Sequence, residues 1–91
     1  MIFKYIITDF GAILFNEATT HSMVAEGFIK EGKKIYSAGF CIIKDGFVRE
    51  VYGRSESLDM ESHPDIDFGV ISNLFSVIAK YLPKDINQLY K

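Results

Sequence analysis

Ninety-one residues with a net charge of −2, 48% hydrophobic and 24% charged side chains exclude a disordered chain and suit one domain with one core. Ten basic side chains scattered among twelve acidic ones form no basic face, so nucleic-acid binding is not expected. Eight Phe and five Tyr are enough to fill a small core, in a size range where association with a second copy commonly adds stability.

Ile2–Thr8 reads as a strand, since β-branched and aromatic residues dominate and Lys4 is its only charge. Asp9-Phe10-Gly11 supplies turn chemistry, and Ala12–Phe15 forms a second apolar run, so the two runs read as a hairpin, with a single bent strand as the alternative. Thr19-Thr20 can cap a short helix over His21–Glu26, with Gly27 after it and Met23, Val24 and Phe28 facing inward. Lys30–Lys34 is a charged loop.

A second hairpin spans Ile35–Arg54 around the favoured Asp45-Gly46 turn. That tip pairs Lys44 with Phe47, Ile43 with Val48, Phe40 with Val51 and Gly39 with Tyr52. Alternation then predicts a core face of Tyr36, Ala38, Phe40, Ile42, Phe47 and Val51. It leaves a polar face of Ser37, Gly39, Cys41, Glu50, Tyr52 and Arg54.

After the polar stretch Ser55–His63, a long helix is expected over Pro64–Leu82. Pro64 suits its first position, Ser62 or His63 its cap, Asp65 and Asp67 the positive end of its dipole, and Pro83 ends it. At about 100° per residue its apolar side chains fill an arc of roughly 200°, wider than one core-facing stripe requires. Asp67 falls at the centre of that arc, where a buried carboxylate would need donors such as backbone N–H groups or Arg54.

The fold class expected is α+β. A mainly antiparallel sheet of roughly four strands, in two hairpins, holds a short helix between the hairpins and a long C-terminal helix on one face. The other face then lacks a cover within the chain.

Candidate chemistry concentrates between residues 54 and 67. Asp59, Glu61, His63, Asp65 and Asp67 alternate, yet an EF-hand starting at Asp59 would meet Pro64 where it needs glycine and Val70 where it needs an acid. No second histidine gives zinc spacing, so no metal site is assigned and no cofactor is expected. Gly53-Arg54-Ser55 offers a guanidinium and a hydroxyl without a glycine-rich phosphate loop. Serine, histidine and acid are present in the 54–67 segment, but no Gly-x-Ser-x-Gly elbow supports acyl transfer.

Cys41 is the only cysteine and sits in an apolar run, where a free thiol acts as a small hydrophobe. Met1–Thr8 is too short for a signal peptide and no apolar stretch is long enough to span a bilayer, so a cytoplasmic location without membrane contact is expected.

Three functional readings result. The first is a non-enzymatic interaction or assembly module, a homodimer using Phe68, Ile71, Phe75 and Leu82 on the wide helix arc. The alternative is a small-molecule or anion-binding domain using Arg54, Ser55, Ser57, His63 and Tyr52. A hydrolase on the same loop is the weakest reading.

Overall fold

The computed structural model describes residues 1–74 and Tyr90. Its elements are β1 (Ile2–Thr8), β2 (Gly11–Phe15), α1 (His21–Lys30), β3 (Ile35–Lys44), β4 (Phe47–Tyr52), β5 (Arg54–Ser55), β6 (Met60–Glu61) and α2 (Pro64–Asn73). The fold is α+β: a four-stranded sheet in the order β2-β1-β3-β4, all neighbours antiparallel, with β5 and β6 forming a separate two-stranded ribbon. Helix α1 carries the chain over central β1, from edge strand β2 to β3. The expected helix end at Leu82, and with it Phe75 and Leu82, lies outside the described residues.

Local chemistry accounts for the element boundaries. Asp45 and Gly46 both take positive φ, 55° and 79°, which is the two-residue hairpin geometry that Asp-Gly favours. Thr20 caps α1 as expected, its hydroxyl accepting the Met23 N–H at 3.2 Å. The helix passes through Gly27, however, and ends three residues beyond it at Lys30. Gly32, at φ +77°, supplies the left-handed residue, with Gly32 N–H donating to the Ile29 carbonyl and Lys33 N–H to the Phe28 carbonyl. That pair of bonds closes a helix end in a Schellman motif.

Both faces of the sheet are covered from within the chain, which corrects the expectation of an open face. On one side Tyr5, Ile7, Cys41, Val48 and Val51 pack with Val70 and Ile71 of α2. On the other, Ile6 and Ala38 pack with Ala25, Val24 and Phe28 of α1, and Leu58 and Met60 of the ribbon region complete the cover. Met23, expected inward, is exposed.

Two β-bulges explain why the predicted faces were wrong. The β3–β4 register shifts between Ile42 and Ile43, leaving Arg49 as the extra residue, so Cys41 faces Val51 and Phe40 faces Tyr52. The bulge brings Val51 onto the face of Cys41, and Cys41, expected on a polar face, is fully buried there because α2 covers that face, while Phe47 at the hairpin tip is 65% exposed instead of in the core. A second bulge, where Ile7 faces Ser37 and Thr8 faces Ile35, makes Tyr36 the extra residue. Tyr36 and Ser37 are both buried as a result.

Candidate binding site

The start of α1, strand β1 and the β5–β6 ribbon enclose a cleft of about 420 Å³ lined by Lys4, Thr20, His21, Phe40, Arg54, Glu56 and Ser57. The volume lies within the range of small-molecule sites. His21, the first residue of α1, is only 3% exposed, and its Nε2 lies 2.9 Å from the Gly39 carbonyl. A carbonyl can only accept, so Nε2 carries the proton and Nδ1 of the neutral ring is an acceptor. Burial, with a smaller contribution from nearby Lys4, pushes the imidazole below its ordinary 6.5 against the opposing Gly39 bond.

No buried side-chain nitrogen or oxygen among the described residues lacks a partner. The Gly39 bond is made by Nε2 alone. Nδ1 makes no hydrogen bond among the described residues, and the ring lines the cleft. The ring is fixed by edge contacts with Phe15 (5.4 Å) and Phe40 (5.7 Å), and Phe40 is in turn stacked on Tyr52 at 5.7 Å.

The cations in the cleft differ in availability. Arg54 is held on all three nitrogens: Nε by Glu61 at 3.0 Å, Nη1 by Glu56 at 3.2 Å and Nη2 by Asp59. Those carboxylates keep its guanidinium protonated above its ordinary value, Asp59 most strongly; two of its five N–H groups remain, but three carboxylates around one cation leave the cluster net negative, which disfavours an external anion. Lys4 donates once, to the Thr19 carbonyl at 3.0 Å, and an ammonium has three protons.

The ribbon is tied to α1 through hydroxyls. Ser57 Oγ accepts the Ser22 N–H at 3.1 Å and lies 3.4 Å from Ser55 Oγ, which accepts the Leu58 N–H at 3.1 Å.

Arg54 and Ser57, expected at a site, do line this cleft. Ser55 is buried behind it and Tyr52 backs Phe40. His63 is elsewhere: its ring meets Tyr90 edge-on at 5.4 Å. Lys4, Thr20, His21, Phe40 and Glu56 were missed. The available sign was a lone charge in an apolar strand and a histidine directly after a capping threonine.

The alternating acids also separate. Asp59 and Glu61 bind Arg54, and among the described residues no three His, Cys, Asp or Glu side chains converge as metal ligands. Asp67 turns inward and is fully buried without a cation. Tyr5 and Ser37 hydroxyls and the His63 N–H (2.8 Å) donate to its Oδ2, and the Tyr90 hydroxyl donates to Oδ1. Its donors are thus phenols, a serine and one helix-start amide, not Arg54. The buried carboxylate also holds Tyr90, which stacks on Tyr36 at 5.2 Å.

Of the expected interface residues, Phe68 is 41% exposed, whereas Ile71 is fully buried in the core and presents no surface to a second copy. Among the described residues no helix is long and apolar enough to cross a membrane. Comparison with protein-family models, curated proteins and solved structures finds no match to this chain.

Proposed function

We propose that the chain is a non-enzymatic domain that binds a small organic molecule in the cleft between the start of α1 and the β5–β6 ribbon. One observation carries this reading: a buried histidine, held by the Gly39 carbonyl and two aromatic rings, lines one cleft together with Lys4 and the Phe40 ring. A few fixed polar groups among apolar walls is the usual composition of a ligand site. The serines support binding over catalysis, because Ser55 and Ser57 accept backbone N–H groups and bond to each other.

The test is a screen of small polar organic compounds against the full chain, followed by amide NMR. Saturable shifts centred on Lys4, His21, Phe40 and Ser57 are expected. Shifts centred elsewhere, or none across the screen, would refute the reading.

A homodimer is a second reading, favoured by exposed Phe68 (41%) and Leu74 (46%) at α2, on the opposite sheet face from α1. Light scattering that reports only monomer up to millimolar chain would remove it.

A further inference from the structure

We propose, resting on the binding reading above, that the cleft selects a small carboxylic acid bearing a neighbouring hydroxyl or N–H donor and an apolar body. The donor is directed to His21 Nδ1, the carboxylate to Lys4 and the body to Phe40. The choice follows from which groups in the cleft are still free.

Arg54 is surrounded by three carboxylates, a net negative cluster that disfavours an external anion. The helix start is closed as well. Ser22 N–H is taken by Ser57, Met23 N–H by the Thr20 hydroxyl and Val24 N–H by the Thr20 carbonyl at 3.4 Å. A phosphate group, which is normally cradled by several such amides, finds none of these three free. The ammonium of Lys4 keeps two protons beyond its Thr19 bond, enough for a carboxylate.

His21 sets the second requirement. Its free nitrogen is an acceptor, so an anionic oxygen placed there would meet a lone pair, and a ligand must instead bring a donor. Lys4 and His21 line the same cleft, which places the ammonium and the imidazole within reach of one small ligand. Phe40, backed by Tyr52, supplies an apolar wall for the rest of the molecule. Glu56 at the same cleft adds negative charge that disfavours a polyanion.

The test uses mandelate, which combines carboxylate, hydroxyl and phenyl groups, against phenylacetate, 1-phenylethane-1,2-diol and inorganic phosphate, with Kd taken from amide shifts of the full chain. Mandelate should bind about tenfold more tightly than either organic analogue, the range expected for one hydrogen bond or one partly exposed ion pair. Lys4→Met should abolish the preference for mandelate over the diol, and Lys4→Arg should restore it. If the diol or phosphate binds at the cleft as tightly as mandelate, the carboxylate assignment is overturned while the binding site stands. If phenylacetate equals mandelate, the His21 assignment is overturned. If no compound in this set or in the wider screen shifts the cleft amides, the binding reading falls with it.

Discussion

Tyr5→Phe is the sharpest probe of what holds the two layers together. Tyr5 and Asp67 are both fully buried, and the phenol donates to Asp67 Oδ2. Burial, and then the bond to Asp67, hold that phenol far above its ordinary 10, so it stays a donor wherever the fold exists. Phenylalanine keeps the ring, so the loss is one hydrogen bond to a buried carboxylate. Bonds of that kind contribute about 1.5–3 kcal/mol. Ser37 and the His63 N–H remain on the same oxygen, which places the expected cost near 2 kcal/mol. In a chain of this size that lowers Tm by roughly 8–16 °C. Urea denaturation followed by circular dichroism should show a lower midpoint with an unchanged m-value. Tyr90→Phe is the internal control: the same chemistry at a half-buried position, where water can take the hydroxyl's place, should cost about 1 kcal/mol or less. A Tyr5→Phe cost under about 0.5 kcal/mol, or one no larger than that of Tyr90→Phe, would refute the claim that Asp67 depends on its buried donors.

Acid should destabilise the protein in two stages. The folded His21 lies below 6.5, so the unfolded chain takes up that proton first. Stability is then full above about pH 6.5 and is lost as pH falls through the lower folded value. Asp9 is held below its ordinary 3.8, chiefly by the Tyr36 hydroxyl at 2.5 Å, so its contribution disappears only in stronger acid. Urea midpoints at pH 7.5, 5.5 and 3 should fall at each step, and a His21→Gln variant should lose the first fall alone; an equal first fall in that variant would contradict the assignment. Gly39→Ala should destabilise by about 1–3 kcal/mol through overpacking, because a Cβ there would sit 2.7 Å from the Tyr52 carbonyl oxygen and 3.0 Å from Ser62 Cβ. A neutral Gly39→Ala in the same urea assay would show that Tyr52 and Ser62 can move away from β3 without cost.

What could be read from the sequence was what depends on near neighbours. The Asp45-Gly46 turn, the Thr20 cap and the strand character of residues 2–8 each rest on a few adjacent side chains, and each is present. Asp67 was visible as an anomaly at the centre of an apolar arc, but its donors were not. Tyr5 lies 62 residues away and Ser37 lies 30, joined to it only by the packing of α2 on the sheet. The bulges were illegible because an extra residue such as Arg49 leaves no mark in composition while reversing the faces that follow it.

That reversal also decides the site. Without the bulge at Arg49, Phe40 would oppose Val51, and no ring would lie behind it. With the bulge, Phe40 opposes Tyr52 and the two rings stack, so the aromatic wall beside His21 exists because β4 carries one residue more than its partner. The other half of the cleft comes from connectivity. The β2–α1–β3 crossover brings His21 and Thr20 over Lys4, while the turn after Tyr52 folds Arg54–Ser57 against the start of the same helix. Residues close in sequence, such as Arg54 and His63, were therefore poorer guides to the site than residues that the topology brings together. A ligand bound at Lys4 and His21 would accordingly draw on β1, α1, β3 and the ribbon at once, and its affinity should fall with any change that loosens their packing, Gly39→Ala included.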